Sequence, residues 1–321
     1  MANCILRDST VIGDFLQPYI VAEVNTSHSG KIDTAKEMID RAKEAGCSCV
    51  KFQSWTKDSL YSKTYYDENP IAKRFVQKFS FSEEQLMEVA LYCKARGIAF
   101  ASTPYSPSEV DFLVEKCNAP YIKVASMDLV NYPYLEYIAR CGVPIVLSTG
   151  MGTMEEVRRA VATIEDAGNR NMCLLHCISI YPPEISTIRL NNIVGLRQEF
   201  PNYPIGFSDH SLGTEMAAAA VALGAALIEK HLTLDRSKIG MDNQMATEPE
   251  EMAQLVRQCQ NVYTAMGDAE RIVLPAEMEQ RGKMRRSVIA TRDLPAGTVL
   301  KRTDLSAKRP GTGIPVERIN E

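Results

Sequence analysis

Two short polar segments near the middle of the chain could bind a metal ion. Ser208-Asp209-His210 and Glu229-Lys230-His231 each follow an apolar run, and an alanine-rich segment with helical character, residues 213–224, lies between them. This order predicts a strand, a helix and a second strand, so both polar tips would lie at the same end of a parallel sheet. His210 and His231 would then face one cavity, and we predict that they form a metal-binding pair.

Two imidazoles without a thiolate would leave coordination positions open for water and substrate oxygens. That arrangement suits Lewis-acid chemistry with a divalent metal, with Mn²⁺ as the principal candidate and Mg²⁺ or Co²⁺ as the others. A single histidine at a strand end is more often a hydrogen-bonded structural residue. For His176, within Leu174-Leu175-His176-Cys177, both interpretations stay open.

Two lysines in apolar surroundings indicate an anion site. Lys51 and Lys123 lie in strand-like runs, and a buried ammonium group is costly unless an anion meets it. Hydroxyl groups lie at the ends of neighbouring runs, at Thr103, Ser126, Ser148 and Ser208. Lysines and hydroxyls together would neutralise and hydrogen-bond a small phosphorylated, carboxylated anion. We predict such a site beside the histidine pair, the alternative being that these are structural polar groups.

The elements that would position these residues repeat as a strand followed by a helix. We predict eight strands, at residues 19–24, 49–53, 98–102, 121–125, 144–148, 172–177, 205–208 and 226–230. Predicted helices follow most of them, at 33–45, 82–96, 107–116, 132–141, 154–167, 213–224 and 248–266. Eight such units over about 250 residues are typical of a TIM (β/α)8 barrel, whose loops after the strands build the active site. A doubly wound α/β sheet would also alternate, but no GxGxxG or Walker sequence is present.

The composition and pattern of the sequence change towards its C-terminus. We assign residues 1–275 to the barrel, 276–286 to a charged helix or linker, and 287–321 to a small, turn-rich, mostly β module. That module is too short to bury much core alone, so we expect it to lean on the barrel or on a partner subunit.

Composition narrows the class of protein. A net charge of -4 and a pI near 5.8 give no electrostatic reason to expect nucleic acid or an anionic membrane as partner. The nine cysteines lack zinc-ribbon spacing and lie mostly in apolar contexts, so we expect reduced thiols and a cytoplasmic location. Residues 1–20 carry Arg7, Asp8 and Asp14, so we expect neither a signal peptide nor a membrane span.

Taken in order, these motifs resemble the N-acetylneuraminate (sialic acid) synthases and their pseudaminic and legionaminic acid synthase relatives. The matching motifs are Ala22-Glu23-Val24-Asn25, Val50-Lys51-Phe52-Gln53, Ser102-Thr103-Pro104, Lys123-Val124-Ala125-Ser126, Ser148-Thr149-Gly150-Met151, His176-Cys177 with Tyr181-Pro182, Ser208-Asp209-His210 and Glu229-Lys230-His231. The segment from Arg285 to Gly313 similarly resembles the start of their antifreeze-like (SAF) domain, which would be incomplete at residue 321. The resemblance implies a TIM barrel that condenses phosphoenolpyruvate with an N-acylated hexosamine such as N-acetylmannosamine, giving a nine-carbon 2-keto sugar acid and phosphate.

The resemblance also implies a role for individual residues. It places the phosphate of phosphoenolpyruvate on Lys51, Thr103, Ser126, Ser148 and Ser208, and the anion of that substrate on Lys123. It makes His210 and His231 the metal ligands. It assigns the sugar side to Glu23, Gln53, Asp128, Tyr181 and Asp242, and Arg309 to the active site of the neighbouring subunit in a domain-swapped homodimer. Glu23 is our candidate for moving protons at the aldehyde or at water.

Departures from the family pattern lie on the sugar side. Ser179 stands where sialic acid synthases often have asparagine, and the segments 25–30 and 240–244 differ from the usual motifs. The donor substrate is therefore better supported than the acceptor. Two alternatives stay open: a Schiff-base aldolase with Lys123 as nucleophile, and a non-catalytic carbohydrate-binding relative, which would have no need for a phosphate site beside an open metal site.

Overall fold

The computed structural model describes residues 2–321 and contains an eight-stranded parallel barrel. Strands β1 (Asn3–Ile5) and β2 (Val11–Gly13) form an antiparallel hairpin ahead of it. The barrel strands are β3 (Tyr19–Glu23), β4 (Cys49–Gln53), β5 (Ala99–Thr103), β6 (Ile122–Val124), β7 (Ile145–Ser148), β8 (Met172–Cys177), β9 (Ile205–Asp209) and β10 (Leu227–His231). They follow the order β5-β4-β3-β10-β9-β8-β7-β6, and β5 lies against β6, so the barrel is nearly closed. The predicted barrel is confirmed, and the doubly wound alternative is wrong.

Helices fill the intervals between the strands. Those at predicted positions are α1 (Ile32–Ala45), α5 (Glu83–Arg96), α6 (Pro107–Asp111), α7 (Tyr132–Arg140), α8 (Met154–Asp166), α11 (Glu215–Ala222) and α12 (Pro249–Met266). A π-helical turn, Phe112–Lys116, extends α6. Five short helices were not predicted: α2 (Lys57–Leu60), α3 (Lys63–Glu68) and α4 (Pro70–Phe79) after β4, and α9 (Ile185–Ile188) and α10 (Asn191–Glu199) after β8.

Helix α5 illustrates how local sequence sets the helix ends. The Ser82 hydroxyl accepts a hydrogen bond from the backbone N–H of Gln85, and Gln85 Oε1 accepts one from the backbone N–H of Ser82. At the other end Gly97 adopts a left-handed conformation, with φ 65°, and its N–H closes the last turn. The reciprocal cap and the glycine stop satisfy backbone groups that a bare helix end leaves unpaired.

Side chains of the barrel strands alternate between two apolar layers. In β3, Ile20 and Ala22 belong to the large cluster between strands and helices, whereas Tyr19 and Val21 belong to a smaller cluster inside the barrel. This alternation follows from the period of two residues in a strand. The inner cluster occupies the first residues of the strands, so the interior changes from apolar to polar towards the strands' C-terminal ends.

The N-terminal hairpin closes the apolar end of the barrel. Cys4, Leu6 and Ile12 are buried in the inner cluster together with Tyr19 and Tyr121. The sequence pattern does not predict this hairpin, because its strands have three residues each and a charged turn separates them. The hairpin leaves the opposite end of the barrel as the open one.

The residues Gly267–Glu321 form a second compact unit after the barrel unit Met1–Met266. It contains helix α13 (Pro275–Met284) and an antiparallel pair, β11 (Ser287–Ala290) and β12 (Leu305–Lys308). The segment for which we left helix and linker open is therefore largely helical. Within residues 2–321, no helix combines the length and hydrophobicity needed to cross a bilayer.

Candidate active site

A cavity of about 340 Å³ opens at the C-terminal ends of the barrel strands. All eight strands, or the residues just after them, contribute to its wall, as the barrel architecture requires. Twelve of the predicted site residues line this cavity: Glu23, Lys51, Gln53, Thr103, Lys123, Ser126, Ser148, Tyr181, Ser208, His210, His231 and Asp242. Side chains separated by more than 200 positions in the chain thus share one site.

The two lysines meet at a carboxylate on the cavity floor. Glu229 lies between them, with Oε2 3.5 Å from Lys51 Nζ and Oε1 3.7 Å from Lys123 Nζ. Lys51 Nζ also lies 2.5 Å from Glu23 Oε2 and donates to Thr103 Oγ1 at 3.2 Å. All five of these charged and polar groups are almost fully buried. Buried ammonium groups of this kind are stable only with anionic partners.

Hydroxyl groups complete the surroundings of the second lysine. Lys123 Nζ donates to Ser148 Oγ at 2.7 Å, and Ser208 Oγ donates to Glu229 Oε1 at 3.0 Å. Ser148 and Ser208 are buried. The floor therefore carries two cations, two carboxyl groups and several hydroxyl groups, each no more than 3.7 Å from a neighbouring group.

Burial and mutual attraction shift the pKa values of this group in different directions. Burial raises the pKa of Glu23, although Lys51 partly offsets it. Burial alone would also raise the pKa of Glu229, but Lys123 and Lys51 lower it below its usual range. Burial lowers the pKa of Lys123, whereas the carboxylates around Lys51 outweigh burial and raise the pKa of that lysine. Lys51 is therefore the firmly charged cation, and Glu23 is the carboxyl group best able to hold a proton.

Glu229 is the main floor residue that the sequence analysis did not assign to the site. The sequence contains the information needed to place Glu229 in the cavity, because side chains alternate between the two faces of a strand. If His231 faces the cavity, Glu229 must face it as well and Lys230 must face outwards. Lys230 is indeed fully buried outside the cavity, where its Nζ lies 2.8 Å from Asp209 Oδ2.

Two aromatic side chains, also not predicted, fix the orientation of Gln53. Trp55 Nε1 donates to Gln53 Oε1 at 2.8 Å, and Tyr105 OH donates to the same oxygen at 2.9 Å. The amide nitrogen of Gln53 is then directed at Glu23 Oε1, to which it donates at 3.0 Å. We call Trp55 and Tyr105 the Gln53 clamp. Such loop contacts depend on tertiary packing and leave no periodic pattern in the sequence.

A glycine allows three polar groups to converge beside the floor. Ser126 Oγ lies 3.1 Å from Cys177 Sγ. A Cβ at Gly150 would lie 2.5 Å from Ser179 Oγ, 2.6 Å from Cys177 Sγ and 2.7 Å from Ser126 Oγ. Real carbon atoms do not approach so closely, so only glycine fits at this position.

The two histidines are adjacent at the upper wall of the cavity. The ring centroids of His210 and His231 are 5.5 Å apart, and the ring of Tyr181 lies 4.2 Å from that of His210. His210 Nδ1 lies 2.8 Å from the carbonyl oxygen of Ile178, which requires the proton on Nδ1 and leaves the Nε2 lone pair free. Burial lowers the pKa of both imidazoles, that of His231 strongly. Both rings are therefore neutral near pH 7.

Neutral imidazoles with a free lone pair have the chemistry of metal ligands, so the residues present fit a divalent cation. In residues 2–321, no three or more His, Cys, Asp or Glu side chains are grouped as a metal site. His210 and His231 would thus hold an ion with other positions left to water and substrate. Asp242 Oδ2 lies 3.8 Å from His231 Nδ1, which places a carboxylate oxygen beside the pair.

Asp242 is held over the cavity by the loop after β3. Its carboxylate accepts a hydrogen bond from Asn25 Nδ2. The neighbouring Met241 N donates to Thr26 Oγ1 at 3.0 Å, and Asn243 Oδ1 accepts from Ser27 Oγ at 2.7 Å. Three contacts therefore fix the segment that carries Asp242, although its sequence departs from the family motif.

Two predicted residues do not line the cavity. Asp128 lies in the 3-10 turn Ser126–Asp128 next to it and accepts from Asn131 Nδ2 at 3.0 Å. Arg309 belongs to the second unit, where it is exposed, and its proposed role in a neighbouring subunit stays a prediction. His176, for which two interpretations were open, bonds to the carbonyl oxygen of Ile188 at 2.7 Å and stacks on Phe207, which is a structural role.

The barrel has lysines and hydroxyl groups on its floor and an imidazole pair at its open end. These features define a TIM-barrel protein with an anion-binding site at the C-terminal ends of its strands. The chain is a member of the NeuB family, whose model matches residues 38–271. A SAF domain model matches residues 285–321. The family resemblance of the sequence motifs is therefore confirmed.

Relatives of the chain include an N-acetylneuraminate-9-phosphate synthase and an N,N'-diacetyllegionaminic acid synthase. It is 36% identical to the human N-acetylneuraminate-9-phosphate synthase, over 90% of this chain and 82% of the relative. It is 34% identical to the N,N'-diacetyllegionaminic acid synthase of Legionella pneumophila, over 96% of this chain and 90% of the relative. The crystal structure of the N-acetylneuraminic acid synthetase from Leptospira borgpetersenii, in complex with citrate, superposes with a TM-score of 0.79 at 30% identity, covering 87% of this chain and 96% of that one.

Proposed function

We propose that this protein condenses phosphoenolpyruvate with the open-chain aldehyde of an N-acylated hexosamine and releases phosphate. The observation that carries the proposal is the floor of the cavity, where Lys51 and Lys123 share Glu229 and are surrounded by hydroxyl groups. The names of the relatives support the class of reaction and leave open which hexosamine is used.

The floor suits the two anionic groups of phosphoenolpyruvate. Lys51 and Thr103 lie together on one side, and Lys123 and Ser148 on the other. Ammonium groups and hydroxyls form charge-assisted hydrogen bonds with phosphate and carboxylate oxygens. Held in this way, the enol carbon C3 of phosphoenolpyruvate would point to the open end of the barrel, where an acceptor can enter.

The upper wall suits the acceptor. A divalent metal held by His210 and His231 would supply Lewis-acid polarisation of the aldehyde oxygen. Tyr181 and Asp242 line the same part of the cavity and would hydrogen-bond sugar hydroxyls. In this proposal Asp128 also contacts the sugar, from the 3-10 turn next to the cavity.

The bond changes balance as follows. The C3 carbon bonds to the aldehyde carbon, whose oxygen takes up a proton, and positive charge develops at C2 beside the buried carboxyl groups. Water adds at C2 and loses one proton; the C2–O bond to the phosphate then breaks while the remaining hydroxyl proton passes to the departing phosphate, leaving the 2-keto acid. Glu23 is the proposed proton carrier, because burial raises its pKa and makes it hold a proton more readily than an ordinary carboxyl group does.

We further propose that the working unit is a domain-swapped homodimer in which Arg309 reaches the partner's cavity. Arg309 is exposed in a unit with little core of its own, which supports this arrangement. We propose the cytoplasm as its location, because all nine cysteines are free thiols.

Phosphate release from phosphoenolpyruvate, measured across a panel of hexosamines with and without Mn²⁺, tests the function. We expect acceptor-dependent release that a chelator abolishes and Mn²⁺ restores. His210→Ala and His231→Ala should each remove this metal-dependent turnover while the circular dichroism spectrum stays unchanged. Near-normal activity of either variant after chelation and readdition of Mn²⁺ would show that the histidines do not hold the ion.

One observation favours a second candidate, a Schiff-base aldolase. Burial lowers the pKa of Lys123, which favours the neutral amine that a Schiff-base nucleophile requires. Its contacts with Ser148 and Glu229 instead support an anion-binding role. Borohydride treatment in the presence of pyruvate should give no adduct on Lys123 by mass spectrometry. An adduct there would favour the aldolase.

A further inference from the structure

A buried ion pair lies behind the two histidines, on the outward face of the barrel. Lys230 Nζ lies 2.8 Å from Asp209 Oδ2, and both side chains are fully buried. The two residues are register partners in β10 and β9, and neither lines the cavity. Two positions earlier in the same strands, Ile228 and Phe207 belong to the large apolar cluster between strands and helices. The ion pair therefore follows apolar residues on the outward face of both strands.

Burying such a pair brings the fold little stability. Removing an ammonium group and a carboxylate from water costs free energy that their mutual attraction only roughly offsets. Apolar side chains of similar volume in the same places are often neutral for stability or stabilise the fold. The geometry that this pair enforces therefore explains its presence better than stability does.

The pair holds the backbone on both sides of His210. Asp209 Oδ1 accepts hydrogen bonds from Ser211 N at 2.9 Å and from Ser211 Oγ at 2.6 Å. Lys230 Nζ donates to the carbonyl oxygen of Ser211 as well as to Asp209. One buried ammonium group thus contacts the residues immediately before and after His210.

Strand pairing alone does not hold His210 beside His231. Strand β9 ends at Asp209, so His210 lies just beyond it, and the register of β9 with β10 ends at the pair of Asp209 with Lys230. His231 follows Lys230 directly and is the last residue of β10. The ammonium group of Lys230 therefore joins the strand that carries His231 to the segment that carries His210.

We propose that Lys230 and Asp209 are positioning residues for the divalent ion, because their buried pair holds His210 and His231 at the separation that the ion requires. This inference rests on the metal site of the proposed function and adds two residues that lie outside the cavity. With only two histidines as protein ligands, an error in their separation is not compensated by a third ligand. Groups that orient metal ligands change metal affinity by about 10- to 100-fold when they are replaced.

The affinity of the purified protein for Mn²⁺, measured without substrates, tests the inference. Electron paramagnetic resonance of free Mn²⁺ gives the Kd. Lys230→Met removes the ammonium group and keeps the length of the side chain, and the Kd should rise by about tenfold or more. In steady-state assays, a higher Mn²⁺ concentration should restore turnover, since the substrate contacts are unchanged.

A second variant separates positioning from stability. Lys230→Met alone leaves the carboxylate of Asp209 buried and unpaired, which destabilises the fold. The double variant Lys230→Met/Asp209→Asn contains no buried charge at this place, so its thermal midpoint should exceed that of Lys230→Met. Its Kd for Mn²⁺ should stay raised by about tenfold or more, because the contact between Lys230 and Ser211 is still missing. Wild-type affinity in the double variant would overturn the inference.

Two controls complete the experiment. Arg197→Met breaks another ion pair, in which Arg197 Nε lies 3.2 Å from Asp14 Oδ2 at the opposite end of β9. It should leave the Kd for Mn²⁺ unchanged, and a rise equal to that of Lys230→Met would show general destabilisation instead of positioning. His210→Ala should abolish Mn²⁺ binding. If it binds Mn²⁺ as the wild type does, or if the wild type binds none, the proposed metal site is wrong and the inference fails with it.

Discussion

At the scale of single residues, the site depends on side chains whose charges are set by one another. Glu229 is held in its ionised form by two lysines, and its own charge keeps them at the floor. Removing any member would leave a buried charge unpaired, which is more costly than the loss of one contact. The lysines of this network can exchange their carboxylate partners for an anionic ligand that enters the cavity.

The Gln53 clamp gives a prediction at this scale. Tyr105→Phe removes one of the two donors to Gln53 Oε1, so Gln53 will orient Glu23 less well. We expect kcat to fall by about two- to tenfold, as for a lost hydrogen bond, while KM for phosphoenolpyruvate stays unchanged. Steady-state kinetics for both substrates measure this split.

A matched control exists for that variant. Tyr134→Phe also removes a buried hydroxyl, but this hydroxyl has no hydrogen-bond partner among the described residues. It should leave kcat unchanged. An equal loss in both variants, or a loss confined to phosphoenolpyruvate binding, would argue against a positioning role for Tyr105.

At the scale of the elements, each end of the barrel strands has a different role. Their first residues build an apolar core with the N-terminal hairpin, and their last residues build the site. The hairpin therefore supports the site from below without contacting it. Its contribution should appear in stability rather than in substrate binding.

We expect Leu6→Ala to lower the free energy of unfolding of the barrel by about 2–5 kcal/mol, because it leaves a cavity in the inner cluster. Leu6 is 2% exposed, whereas its neighbour Ile5 is 52% exposed. Ile5→Ala should therefore change stability by less than about 0.5 kcal/mol. Urea unfolding monitored by circular dichroism compares the two. Similar midpoints would mean that the hairpin does not seal the barrel.

The elements also show how far the sequence could be interpreted. Apolar runs ending in polar residues predicted all eight barrel strands, because parallel strands end at one edge and alternate with a period of two. The motif resemblance then assigned residues such as Asp242 that no periodicity could place. Trp55 and Tyr105 could not be found in this way, since their roles arise from contacts between loops. The hairpin was missed because its strands are too short to show a pattern.

At the scale of the whole molecule, the barrel and the second unit together match the NeuB and SAF family models. The barrel unit alone holds the cavity and twelve of the predicted residues. The proposed role of Arg309 depends on the proposed homodimer, and this dependence can be tested directly.

Subunit mixing supplies that test. Lys51→Ala lacks an intact floor and Arg309→Ala lacks the proposed bridging arginine, so each homodimer should be inactive. After exchange of subunits, a mixed dimer would contain one complete site, and about a quarter of all sites would be whole at equal mixing. Mass spectrometry verifies the exchange. If activity does not return, Arg309 serves its own barrel or no site.

The condensation of phosphoenolpyruvate is tested most directly by the fate of its bridging oxygen. Phosphoenolpyruvate labelled with oxygen-18 between C2 and phosphorus is incubated with the acceptor and Mn²⁺, and both products are analysed by mass spectrometry. Because water adds at C2 and the C2–O bond breaks, the label should leave entirely with inorganic phosphate, in an amount equal to the nine-carbon keto acid formed. Label retained in the keto acid, or phosphate released without keto acid, would contradict the mechanism proposed for this cavity.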